Sequence, residues 1–274
     1  MATTGDRAAA SLAGNNDVAG SRKVIGALDL LDLQLINERY GRDPLPYPFL
    51  LTRPTRFQYA DEVARYAAQL PERIRTGDLS QFSRCLDALI NADITVTGHV
   101  QYIPADTPPI RLLACLAGQA GYLLEQRTDS DAIDVSAVSP FDLGATVANA
   151  MALVEPGRHP TVLNGEYTPP RPAVVEEDTV VVRHEVRTAR GVTVSAEQVS
   201  AYAKIQSNWR PAPEWGIDKN KDHLIWVRVI DDGDYLGAPD RSRGIPITTA
   251  ALAERIDGLI ASDREALRES RGDT

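Results

Sequence analysis

The stretch 93–154 constrains the fold more than any other, because it reads as a meander of strands that runs directly into a helix. Four β-like runs, 94–103, 110–117, 121–127 and 132–138, are separated by 104–109, 118–120 and 128–131. Those separators hold the Pro, Gly and Asp residues that reversals need. Ser139, Pro140 and Asp142 then supply a helix start: a hydroxyl cap, a proline at the first helical position and an acid that reaches back. Leu143, Val147, Met151 and Val154 recur behind it at helical spacing, and Glu155-Pro156-Gly157 stops the run.

A fainter copy lies near the C-terminus. Runs 204–210 and 223–230 are strand-like, Asp232-Gly233 supplies a tight turn, Tyr235-Leu236 begins a return strand and 244–247 is a short last strand. Thr248 or Thr249 caps a helix with Leu252, Ile256, Leu259 and Ile260 on one face. Tyr122-Leu123 and Tyr235-Leu236 occupy similar places in the two copies. The chain therefore reads as a pseudo-repeat, strands in a meander and then one helix, twice.

Elsewhere the pattern is local. Run 24–28 is strand-like, and Asp29 caps a helix with Asp32 as its capping-box partner, Leu31, Leu35 and Ile36 as its buried face and Gly41 as its end. Pro44, Pro46 and Pro48 forbid a helix across the next bend, and 49–51 is a candidate strand. Thr55-Arg56-Phe57-Gln58 is a second capping pattern, before a helix carrying Tyr59, Val63, Tyr66 and Leu70 that Pro71 and Gly77 close. Asp78 caps a third helix, whose face is Leu79, Phe82, Cys85, Leu86, Leu89 and Ile90. Five prolines make 155–178 a long irregular linker. Run 179–187 has strand period, with a helix as the open alternative, and Ser195 to Gln198 caps a short helix reaching Val199 and Tyr202. Residues 1–20 read as a disordered tail without a signal-peptide core, and 262–274 as a charged end that frays.

Composition narrows the function classes. Lysine and arginine number 29 against 38 acids, a net charge of -9, which opposes a nucleic-acid or anionic-membrane partner. With 43% hydrophobic residues and 274 residues in all, the chain can bury a sizeable core. No apolar run approaches the roughly 20 residues of a membrane span, so a cytoplasmic location is expected. Cys85 and Cys115 lie inside apolar patterns and read as buried thiols.

No catalytic motif is present: there is no P-loop, dinucleotide fingerprint, nucleophile elbow or zincin helix. His99, His159, His184 and His223 lack ligand spacing and read as structural or surface residues. Asp231-Asp232-Gly233-Asp234 has adjacent rather than alternating acids, so it reads as a hairpin turn and not a calcium loop. The acids of 129–134 read as a turn likewise. Trp226 reads as core, whereas Trp209 and Trp215, flanking Pro211 and Pro213, are interface candidates. No catalytic residue, metal or cofactor is expected.

The order of these features resembles the EspG family, the cytosolic chaperones of type VII (ESX) secretion. The resemblance rests on the strand and helix ending at Gly41, the bend at Pro44 to Pro48 and the helical region 57–91. It continues through Ile110-Arg111-Leu112-Leu113-Ala114, Gly118, Gly121-Tyr122-Leu123 and Ser139-Pro140. It ends with Trp226, Asp231-Asp232-Gly233-Asp234-Tyr235-Leu236 and the last helix. One departure is Asp234, where the family often has Arg. The resemblance implies one α+β domain over 21–272, a central antiparallel β-sheet with flanking helices, two pseudo-symmetric halves (about 24–154 and 180–262) and a helical C-terminal part. It implies binding rather than catalysis. Such a chaperone holds the apolar tip of the PPE protein in a PE–PPE heterodimer, keeps it soluble and passes it to the secretion machinery. The loop after the second strand, which touches substrate in the family, maps to Ile103, Pro104, Ala105, Asp106, Thr107 and Pro108, with a simple turn as the plain alternative. Gln198, Tyr202, Gln206 and Trp209 are the candidates for a second contact region. The rival readings are an enzyme or small-ligand protein using the cleft between the halves, marked by a pocket lined by Asp231 and His223, and a weak homodimer or scaffold.

Overall fold

The computed structural model describes residues 22–103, 106–167, 191–212 and 215–272. Strand β1 (Lys23–Asp29) leads into α1 (Leu30–Arg39), α2 (Ala60–Arg75) and α3 (Ser83–Ile90). The meander comes next as β2 (Ile94–Tyr102), β3 (Ile110–Ala117), β4 (Ala120–Gln126) and β5 (Ala132–Val138), with α4 (Leu143–Ala150) behind it. The second half has β6 (Val162–Asn164), β7 (Val192–Val194), β8 (Val199–Asn208), β9 (Leu224–Val229), β10 (Gly233–Gly237), β11 (Arg243–Pro246) and α5 (Thr249–Arg271).

The eleven strands among the described residues join one sheet, ordered β1-β5-β4-β3-β2-β8-β9-β10-β11-β6-β7. Every pairing is antiparallel except that of β6 with β7. The expected pseudo-repeat is present, and it is wider than the sequence pattern. In each half a strand that precedes the meander returns to its last strand, β1 against β5 and β6 against β11, with β7 added outside β6 in the second half. The halves meet where β2 pairs with β8, from Thr95↔Asn208 to Tyr102↔Ala201. The matched dipeptides share their facing: Leu123 and Leu236 enter the core beneath α4 and α5, while Tyr122 and Tyr235 are buried on the opposite face.

The two faces are covered differently. Helices α4 and α5 pack as a pair over the middle of one face, on a core that includes Val96, Leu112, Met151, Ile205, Trp226 and Ile256. Their approach is close at Gly144, where an added Cβ would lie 2.2 Å from Asp257 Oδ1. On the other face, α1, α2 and α3 cover the first half around Leu33, Phe82, Leu86, Leu113 and Leu124. Side chains of this size each contribute about 1.5–3 kcal/mol on leaving water. Cys85 and Cys115 belong to this second core and are unpaired.

Several elements depart from the sequence pattern, most of them because a side chain found another partner. Ser139 folds into a turn, its Oγ accepting from Phe141 N at 3.3 Å, so the helix begins at Leu143 rather than at Pro140. It ends at Ala150, Ala152 takes a left-handed conformation (φ 53°), and Val154 is exposed rather than on the helix face. Residues 49–51 form no strand, because the Gln126 amide occupies both Leu50 N (3.1 Å) and Leu50 O (2.7 Å). Helix α2 starts at Ala60 with Tyr59 exposed, and runs through Pro71 to Arg75. Asp32 and Asp78 do not act as capping acids: both carboxylates hold Arg73, at 3.2 and 2.8 Å, and Asp32 also takes the Tyr66 hydroxyl at 2.7 Å. The Ser195 cap opens only a 3₁₀ turn, Ala196–Gln198, so Val199 and Tyr202 lie on strand β8. Nor does the described part of the expected frayed end, 262–272, fray: α5 continues to Arg271 because buried Asp263 pairs with Lys221, and Arg271 with Asp93 at 2.6 Å. The tail 1–20, the strand-like run 179–187 and part of the linker 155–178 lie outside the described residues.

Candidate binding face

The Pro-rich linker begins with a built anchor. Asp234 is fully buried and accepts from Arg228 Nε (2.8 Å), Arg228 Nη2 (3.1 Å) and Val154 N (2.6 Å). Asp232 accepts from the Tyr235 hydroxyl (2.6 Å) and Arg158 N (2.7 Å). Burial alone would raise the Asp232 carboxyl, but these donors reverse it and hold it below its usual range. Burial, then the hydrogen bond to Asp232, pushes Tyr235 up to about 12. Gly157 is required here, since a Cβ would lie 1.9 Å from Tyr235 Cζ. Residues 231–234 thus form a hairpin in which the Asp232 and Asp234 carboxylates hold the chain that crosses it.

The face of β2, β8 and β9 away from α4 and α5 carries the exposed groups. At the end of β2, Ile103 N donates to Ser200 O at 2.9 Å, which sets the loop before β3 against the start of β8. Ile103 is 51% exposed, and Asp106, Thr107 and Pro108 are exposed too. Pro104 and Ala105 lie outside the described residues. Tyr202, 39% exposed, faces Gln101 across β2 and Val227 across β9. The next row on this face runs Arg111, His99, Lys204 and Ile225 across β3, β2, β8 and β9.

Two Pro-rich bends place aromatic rings beside this row. Tyr47 rides on the first, and its hydroxyl is 3.3 Å from His99 Nδ1. Trp215, 57% exposed, stands edge-on to the Tyr47 ring at 5.2 Å and donates from Nε1 to Leu45 O at 3.2 Å. Burial, then Arg111 and Lys204, push the His99 imidazole down to about 4, so it is neutral at pH 7. Burial raises Tyr47 and lowers Arg111. His99 Nε2 is buried without a hydrogen-bond partner among the described residues.

The structure divides the sequence candidates. Ile103, Asp106, Thr107 and Pro108 share one end of the face with Gln198 and Tyr202. Gln206 and Trp209 lie toward the other end of β8, about 13 Å and more from Tyr202 at strand rise. Gln206 is fully buried, its amide donating to Asp218 O (2.9 Å) and accepting from Asp218 N (2.8 Å), so it organises the loop after β8. Gln198 Oε1 accepts from Ser195 N (3.0 Å), and its carbonyl accepts from Ile230 N (2.8 Å). Trp209 packs on the core with the Arg210 guanidinium 5.1 Å from its ring centre. Sequence pattern alone does not single out Tyr47, Arg111 or Lys204. Alternation of polar His99 and Gln101 with apolar Val96 and Val100 is the available signal; the register that joins the strands is not in it.

Two cavities bear on the small-ligand reading. One, of about 180 Å³, lies between α1, α3 and the loop after β8, lined by Asn37, Thr97, Asn208 and Trp215 among others. Another, of about 250 Å³, is lined by His223, Arg243 and Arg255, but Asp231 is not part of it. Among the described residues no group of three or more His, Cys, Asp or Glu could hold a metal ion, and no helix is long and apolar enough to cross a membrane.

Among the described residues, this stretch of sheet presents Ile103, Tyr202 and Trp215 to solvent, the kind of surface a binding module offers. The sequence model of the EspG family matches residues 29–258, and the chain belongs to that family, whose members are chaperones associated with ESX secretion. No curated protein matches the chain.

Proposed function

We propose that this chain is a cytoplasmic, non-catalytic chaperone that binds the apolar tip of a PPE protein within a PE–PPE heterodimer, keeps it soluble and delivers it for export. The observation that carries this reading is the exposure of Ile103 and Tyr202 at one end of this face, with Tyr47 at His99 on the next row and Trp215 against the Tyr47 ring. An apolar helical tip left in water self-associates, and an apolar face that covers it removes that surface. The prolines of the β2–β3 loop lower the ordering cost of binding.

Co-expression with a PE–PPE pair encoded near this gene, then size-exclusion chromatography, tests the reading. A 1:1:1 complex is expected, weakened by Ile103→Asp and by charge reversal at Asp106. Absence of a complex with every pair from the same genome would overturn it.

A further inference from the structure

The most unusual group on the open face is the row Arg111, His99 and Lys204. Three basic side chains stand side by side on adjacent strands, in register. In a chain of net charge -9, many cations are paired: Arg22 with Glu125, Arg73 with Asp32 and Asp78, Arg127 with Asp134, Arg228 with Asp234, Lys221 with Asp263. Among the described residues, Arg111 and Lys204 join no ion pair. Both are partly buried in the centre of the sheet rather than at a rim, so water screens them incompletely. Their Cα atoms stand about 10 Å apart, two strand spacings, within reach of one carboxylate for two long side chains.

We propose that Arg111 and Lys204 form a carboxylate-recognition site, which pairs with an acidic side chain flanking the apolar tip of the helical partner. This inference rests on the chaperone reading above and names the polar half of the same contact. Ile103 and Tyr202 supply apolar area, which any hydrophobic tip satisfies. The two cations add a condition that an apolar tip without an acid fails, and charge complementarity of this kind sets specificity and encounter rate. Because His99 is neutral, only Arg111 and Lys204 carry the charge.

The test measures binding of the PE–PPE pair to full-length chain by biolayer interferometry at low and high NaCl. The doubly neutralised variant Arg111→Gln/Lys204→Gln is compared with Ile103→Asp, and thermal melting verifies that each is folded. Wild type should weaken about tenfold between 50 and 500 mM NaCl as the pair is screened. The double variant should bind about tenfold more weakly at low salt and lose most of that salt response, whereas Ile103→Asp should weaken binding and keep it. Should the double variant melt early, Lys204→Gln alone carries the test, with about half the effect. A folded variant with wild-type affinity and salt slope overturns the carboxylate site and leaves the chaperone reading standing. A wild-type chain that binds no pair overturns both.

Discussion

Asp234 stands at position 2 of a strand, has no exposed surface and holds both Arg228 and the backbone of Val154. Removing one partner of a buried ion pair leaves the other charge uncompensated, so Asp234→Ala should cost about 3–5 kcal/mol. Urea unfolding reads this directly, and a loss under about 1 kcal/mol would mean that Arg228 finds solvent instead. His99 makes a prediction about pH. Its folded-state value of about 4 lies below the ordinary 6.5, so between those limits the unfolded chain takes a proton that the folded chain refuses. Its contribution is therefore present above about pH 6.5 and is lost as the pH falls toward 4. The urea midpoint should drop across that window, and His99→Gln should flatten the drop. Asp93, Asp131 and Asp232, held below their usual range, lose their contributions only at still lower pH, which keeps the two effects separable.

Among the elements, α5 is where local pattern and tertiary structure differ most. By pattern alone the helix ends near Ile260, because the residues beyond it are charged. Two of those charges are tertiary contacts: Asp263 with Lys221, and Arg271 with Asp93. Deleting 262–274 should therefore destabilise by about 3 kcal/mol or more, since Lys221 is left partly buried without its acid. It should also raise amide exchange in the loop that Lys221 holds through Ser207 O (2.7 Å). Unchanged stability would restore the frayed-end reading. At the other terminus of the helix, Thr248 accepts from Ala251 N at 3.1 Å, and Thr248→Ala should cost about 1 kcal/mol. The four meander strands are legible in the sequence because turn residues punctuate them; β1 because Val24, Ile25 and Leu28 make it largely apolar, and β11 because the Thr248 helix cap follows it directly. Helix starts are less legible, since a Ser or Asp that can cap can also turn or pair, as Ser139, Asp32 and Asp78 do. The candidate face is half legible: the loop end shows in the sequence, whereas the row Arg111–His99–Lys204 exists only through strand register.

For the whole molecule, one sheet running through both halves makes them a single cooperative unit. All three tryptophans, Trp209, Trp215 and Trp226, lie in the second half, so fluorescence reports that half while far-UV circular dichroism reports the whole. The two urea transitions should coincide. Separate midpoints would show that the β2–β8 pairing joins two independently melting units. The halves share their strand plan but differ in the chain that links outer strand to meander. Residues 30–93 supply 64 residues to the first half, enough for α1, α2 and α3, whereas 165–198 supply 34 to the second. The internal rotation that superposes β2 on β8 carries the α1–α3 layer onto the side of the sheet where Tyr202 and Lys204 stand open. A helical partner seated there would occupy the position that α1, α2 and α3 take in the first half. Binding would then set helices from another polypeptide where the internal two-fold places α1, α2 and α3.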